Sequence, residues 1–94
     1  MPYRLIDPDE TLDYACDWTA FLADGGSPGD SILSSVWAID PAGPTLSGAS
    51  VAGAVTRVFV AGAQAGQVYR LTNSVTTNLG RIAERSWTLR CENR

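Results

Sequence analysis

Hydrophobic and polar residues alternate along most of this chain. From Leu12 onward, Leu12, Tyr14, Cys16 and Trp18 fall on one side, with Asp13, Ala15, Asp17 and Thr19 on the other. That period of two predicts a half-buried strand. The segment Asp24-Gly25-Gly26-Ser27-Pro28-Gly29-Asp30 is turn chemistry throughout. A second strand is predicted over Ile32–Ile39, stopped by Asp40-Pro41-Ala42-Gly43-Pro44, and the Ser- and Gly-rich stretch 45–51 reads as a weak edge strand. Val55–Ala61 is β-branched and aromatic, a good strand closed by Gly62-Ala63-Gln64-Ala65-Gly66. Residues 67–77 alternate Tyr69, Leu71, Asn73 and Val75 against Val68, Arg70, Thr72 and Ser74. Asn78-Leu79-Gly80 then supplies the left-handed positions of a hairpin turn. Finally, Arg81–Cys91 turns Trp87, Leu89 and Cys91 inward.

Short strands at regular spacing, with no convincing amphipathic helix, predict an all-β fold. The expected form is a single immunoglobulin-like β-sandwich of about seven short antiparallel strands, with a small barrel as the alternative. The length, 94 residues, allows one domain. Residues 1–11, with Asp7-Pro8-Asp9-Glu10, are expected as an extended arm, and residues 12–94 as the sandwich.

Composition narrows the chemistry. The chain has no His and no Lys; all seven cations are Arg. The commonest general base and metal ligand are thereby missing, as is any lysine nucleophile. A formal charge of −3 argues against a general nucleic-acid binder. The charge is divided unevenly: residues 1–47 carry eight acids and one Arg, residues 48–94 two acids and six Arg. Acidic and basic strands can neutralise each other within one sandwich, or a dipolar surface can dock copies or a partner head-to-tail. The start Met1-Pro2-Tyr3-Arg4 lacks the apolar run of a signal peptide. Cys16 and Cys91 are therefore expected as reduced, buried thiols. No apolar run is long enough to cross a membrane as a helix.

Three constellations suggest sites. Gly29-Asp30-Ser31-Ile32-Leu33 matches the GDSL block of serine esterases, but a serine nucleophile there has no His to take its proton. It reads instead as a turn opening a strand. The acids Asp7, Asp9, Glu10, Asp13 and Asp17 do not have calcium-loop spacing. Asp13 and Asp17, about 13 Å apart on a strand, are too far apart to chelate one ion or to act as a glycosidase pair. They read instead as a solvated or Arg-paired face, one on which Arg81 and Arg85 of a neighbouring strand could pair with them. Among the aromatics, Trp18 and Trp87 are expected in the core. Trp37 lies on a strand apolar on both faces, which predicts a central strand or a face covered by a partner. Neither an enzyme, nor a cofactor, nor a metal site is expected.

The stretch Asp7-Pro8-Asp9-Glu10-Thr11-Leu12-Asp13-Tyr14-Ala15-Cys16-Asp17-Trp18 resembles the opening of the small phage fiber-tail adaptor proteins. The block Gly29-Asp30-Ser31-Ile32 with Ser35-Val36-Trp37 is similar too. So is Ala65-Gly66-Gln67-Val68-Tyr69 with Thr72-Asn73, Thr76-Thr77, Gly80-Arg81 and Glu84-Arg85-Ser86. The loop at 25–29 is longer than the family's. The resemblance implies a structural virion protein of a tailed phage, assembled in the host cytoplasm, joining the tail or baseplate to a fibre or another tail protein. It implies tail or baseplate proteins as partners; the charge and the absence of a long apolar run leave neither nucleic acid nor membrane expected, and copies are expected as a ring in which acidic and basic faces meet. Capsid decoration, head–tail joining and a carbohydrate-binding sandwich are the alternatives. The expected contact residues are Asp7, Asp9, Glu10, Asp13, Asp17, Trp37, Arg81 and Arg85.

Overall fold

The computed structural model describes residues 3–6, 8–23 and 30–92. Among the described residues, seven strands and one short helix follow each other: β1 (Tyr3–Ile6), β2 (Leu12–Asp17), α1 (Thr19–Ala23), β3 (Ile32–Asp40), β4 (Thr45–Ala52), β5 (Val55–Ala61), β6 (Val68–Thr77) and β7 (Ile82–Cys91). They form a four-stranded sheet in the order β1-β7-β6-β3 and a three-stranded sheet in the order β2-β5-β4, packed together as an all-β sandwich. The alternation read from the sequence is the alternation of burial. In β6, Tyr69, Leu71, Asn73, Val75 and Thr77 are buried while the residues between them are not.

Two departures have local causes. One pairing is parallel rather than antiparallel: β1 runs alongside the end of β7, with Tyr3 opposite Thr88 and Ile6 opposite Cys91. Residues 3–6, which fall in the expected arm, thus belong to a sheet, and Ile6 is fully buried. The second departure is β3, which is an edge strand, not a central one. An irregularity between Ile32 and Ser34 shifts the phase of the strand. Ile32, Trp37 and Ile39 are half-buried, while Leu33, Val36 and Ala38 are exposed.

The apolar core has two parts. Ile6, Val58, Val60, Ala63, Tyr69, Leu71, Leu89 and Cys91 fill one; Cys16, Trp18, Leu22 and Val75 fill the other, beneath α1. Cys16 and Cys91 are free, buried thiols. Trp37 and Trp87 stack at 5.9 Å between ring centroids and pack against both parts. Tyr69, at the start of β6, accepts a bond at its hydroxyl from the Gln64 amide (3.1 Å), which fixes the corner before that strand. In the β6–β7 turn only Gly80 takes a positive φ; Asn78 instead donates its amide to the Ser31 carbonyl.

One buried amide ties the two sheets together. Asn73 on β6 is fully buried. Its Oδ1 accepts from the Trp18 indole N–H (2.9 Å) and from the Thr56 hydroxyl on β5 (2.6 Å). Its Nδ2 donates to Ser35 Oγ (2.8 Å) and the Val36 carbonyl (3.2 Å) on β3. All four hydrogen-bonding positions of the amide are filled. Truncation leaves the Trp18 and Thr56 donors buried without this acceptor, and each such group costs roughly 1–3 kcal/mol. Asn73→Ala is therefore expected to destabilise by about 3 kcal/mol or more in urea melts. Trp18→Phe, which leaves Thr56 donating to Asn73, costs about 1 kcal/mol from the lost hydrogen bond and a further amount from the cavity left by the smaller ring.

Candidate partner interface

The residues expected to form a contact surface have different occupations in the fold. Asp7 lies outside the described residues. Asp9 is exposed and Glu10 half-buried in the turn that leads into β2. On β2 the side chains of Asp13, Ala15 and Asp17 face solvent, opposite the inward Leu12, Tyr14 and Cys16. Asp13 forms an ion pair with Arg57 on the neighbouring β5. Asp17 accepts the Thr19 amide (2.9 Å) and hydroxyl (2.6 Å) through one oxygen, which turns the chain into α1. These two bonds hold its carboxyl below the usual carboxylate range.

Arg81 and Arg85 do not pair with Asp13 and Asp17 through their carboxylates. The expected pairing fails because β2 and β7 lie in different sheets, and β2 has β5 as its hydrogen-bonded neighbour. Arg81 precedes β7 and binds Asp30: its Nε and Nη2 reach Asp30 Oδ2 at 3.0 and 2.9 Å. The same guanidinium donates to the carbonyls of Phe21 and Leu22 (both 3.2 Å), which are otherwise left over at the end of α1. It also lies 4.5 Å over the Phe21 ring. Arg85 donates to the Asp17 backbone carbonyl (3.0 Å) and stands 4.4 Å over the Trp18 ring. Phe21 meets Trp18 edge-on at 5.5 Å. Arg81, Phe21, Trp18 and Arg85 thus form one continuous clamp on α1.

Asp30 is the residue that spacing did not single out. Within the GDSL-like block, Asp30 is a structural anchor. The Asp30 side chain is fully buried, and its Oδ1 accepts the amides of Ser31 (2.9 Å) and Leu79 (3.1 Å). Burial pushes its carboxyl up, but the Thr77 hydroxyl, Arg81 and the Leu79 and Ser31 amides outweigh it and leave the group below its ordinary value. The available signal was the pairing of a lone Asp in a Gly-rich turn with an Arg next to another turn, a separation of 51 residues. Trp37 is half-buried and faces inward, with its Nε1 buried and without a hydrogen-bond partner. It therefore offers no exposed platform on the surface of β3.

The exposed large apolar side chains are Leu33, Val36, Val51, Phe59, Val68, Leu79 and Ile82. Phe59 covers Gly48, whose φ is +61° and where a Cβ would come within 2.9 Å of the ring. Two adjoining grooves, of about 560 and 420 Å³, lie along β2 and share Ala15 and Trp87. Among the described residues no cluster of His, Cys, Asp or Glu could hold a metal ion, and no helix is long and apolar enough to cross a membrane.

A family model, described as Podophage GP4 fiber-tail adaptor protein gp77, matches residues 7–90. The chain belongs to this family. No curated protein matches it. The residues that carried the resemblance have structural duties in this adaptor-family fold. Trp18 and Asn73 tie the sheets, while Asp30, Arg81 and Arg85 secure α1.

Acid should expose this anchoring. Asp17 and Asp30 are held below their ordinary values, so their stabilisation is complete above the usual carboxylate range, near pH 4. It is lost as pH falls through the lower values of the folded state. Thermal melts between pH 7 and pH 2 should show a decline beginning below about pH 4. In Asp30→Asn the neutral-pH melting temperature should drop further than in Asp13→Asn, and the acid decline should be shallower than in the parent.

Proposed function

We propose that the protein is a structural part of a tailed-phage virion, an adaptor that joins the tail or baseplate to a fibre or another tail protein without catalysing a reaction. The observation that carries this reading is the adaptor-family match over residues 7–90. It sits on a sandwich whose most specific polar contacts are internal supports rather than a reactive centre.

The strand order supports an immunoglobulin-like type of sandwich. In lettered form, β2, β5 and β4 occupy the B, E and D places, and β3, β6 and β7 the C, F and G places. The first strand lies on the last instead of on β2. The Tyr69 hydroxyl bound to a backbone amide just upstream is the geometry of a tyrosine corner at the E–F junction.

The contact face is the β2 side, with Asp9, Glu10, Asp13 and Asp17; Asp7, outside the described residues, is kept as a contact residue from the sequence alone. Asp13 and Asp17 project from an exposed strand face there. Copies stand as a ring around the tail axis, in heterologous contacts that close by rotation. Several charges that could serve such a ring are engaged within one chain, as in Asp13–Arg57, Asp30–Arg81 and Arg90–Glu92. The part of the surface that remains for other proteins is therefore more specific than the overall charge split suggests. The protein is assembled in the host cytoplasm and resides in the tail.

Mass spectrometry of gradient-purified particles, and of tails separated from heads, tests this. The chain is expected in intact virions and in the tail fraction, together with the protein that it captures when tagged. Its absence from particles, or its presence in heads alone, overturns the assignment.

A further inference from the structure

We propose that the free edge of β2 is an acceptor site for an extended strand supplied by another protein, with apolar and basic side chains alternating along it. This rests on the adaptor reading for the identity of the donor, a second virion protein, but not for the site itself.

Two independent observations place the site. The first is a gap in strand pairing. Among the described residues β2 pairs only with β5, so its other edge has no strand. On the facing sheet β1 covers β7 only at Thr88–Cys91, which leaves Ile82–Trp87 without a strand partner on that side. An immunoglobulin constant-type sheet holds four strands, with the first strand beside the second. Here that place beside β2 is open. The second observation is the shape of the surface. The two grooves that share Ala15 and Trp87 are lined between them by all six residues of β2, Leu12 to Asp17. Their opposite wall comes from Arg4 and Leu5 of β1, Arg70 of β6, and Glu84, Arg85, Ser86 and Trp87 of β7.

The ends of the site are built. Arg85 crosses from β7 to take the Asp17 carbonyl, which closes it at one end. At the other, the Tyr14 hydroxyl donates to the Leu5 carbonyl (3.4 Å) and joins the two walls beneath it. Between these links β2 presents an edge that has no strand partner among the described residues, the kind of edge used in recognition by strand addition.

The pattern of β2 sets the chemistry of the donor. On β2 the inward positions are Leu12, Tyr14 and Cys16, and the outward ones Asp13, Ala15 and Asp17. Directly opposed residues of neighbouring strands share a face and favour opposite charge. A donor therefore places apolar side chains opposite Leu12, Tyr14 and Cys16, toward Trp87, and Lys or Arg opposite Asp13, which it shares with Arg57, with its end facing Asp17 where Arg85 closes the site. This chain's own Arg-bearing strands β5, β6 and β7 each lie between two neighbours in their sheets, and β1, with Arg4, is held on β7. A second copy is accordingly not the donor.

The test uses the whole protein and a blocked peptide alternating valine and lysine over roughly eight residues, long enough to span a strand of six. A peptide of the same length alternating valine and glutamate serves as comparison. Saturable binding of the lysine peptide at sub-millimolar concentration is expected, with amide shifts in NMR confined to residues 12–17 and 84–87. The glutamate peptide and an Ala15→Arg variant should each bind about tenfold more weakly or less. Should Ala15→Arg not fold, the lysine peptide with alternate backbone nitrogens methylated asks the same question of the parent protein, and its binding should be lost. No shifts, equal binding of both peptides, binding unchanged by Ala15→Arg or by methylation, or shifts along β3 and β4 instead would each overturn the proposal. So would sedimentation showing a dimer whose β2 amides are protected without peptide. A protein absent from virions that still binds the lysine peptide would remove the adaptor reading and keep the site.

Discussion

The carboxamide of Asn73 fixes how the two sheets meet. Apolar contacts hold sheets together without specifying a single register, because burial is non-directional. The Asn73 amide adds direction: it has two donors and two acceptor positions, and each is matched to a partner, on three segments in all, Trp18 after β2, Thr56 on β5, and Ser35 and Val36 on β3. Sliding one sheet by a residue would separate a buried indole N–H, a hydroxyl and an amide from their partners at once. In antibody domains a disulfide joins the second and sixth strands. Here Trp18, one residue beyond the second strand, and Asn73, on the sixth, are tied by a hydrogen bond. Such a tie forms without an oxidant and leaves Cys16 and Cys91 as buried thiols.

The same indole connects the sheets to the end of the sandwich. Trp18 donates to Asn73 with its N–H, while its ring lies under Arg85 and against Phe21. Phe21 in turn carries Arg81, which holds Asp30 and the last carbonyls of α1. A five-residue helix has little stability of its own, since helix nucleation is unfavourable and its end groups lack partners. Its existence depends on this external set of donors and rings. The end of the sandwich and its middle are thus one cooperative polar and aromatic unit.

What could be read from the sequence follows from how local each signal is. The strands β2 to β7 were legible because period-two alternation and Gly- or Pro-rich turns mark them within their own residues. β1 was not, since its four residues gain meaning only by lying on the far end of the chain, opposite residues 88–91. α1 is too short to display a helical period. The site was less legible than the fold. Equal spacing suggested that Arg81 and Arg85 share a strand face, but Arg81 belongs to the turn before β7 and Asp30 claims it. Asp13 instead finds Arg57, which sits diagonally across the β2–β5 ladder. Charge pairing within a sandwich is decided by which strands share a sheet, a fact that no single segment contains.

The uneven charge along the chain thereby has two consequences of different kind. Much of it is neutralised internally, where acids of the first half meet arginines of the second at Asp13–Arg57 and Asp30–Arg81. These contacts support the fold and leave little net attraction for a neighbour. Among the outward acids of β2 this leaves Asp17 outside the ion pairs between described residues, on a strand with an open edge rather than in a finished sheet. Exposed strand edges are commonly protected by charge or by covering segments. Along β2 the acids stand on the outer face while the groove behind them stays accessible. Acids on an open edge discourage pairing between like copies, since their charges would face each other. They leave pairing available to a strand of opposite charge. An edge that refuses its own kind and accepts another is what an adaptor needs if it is to join two different proteins.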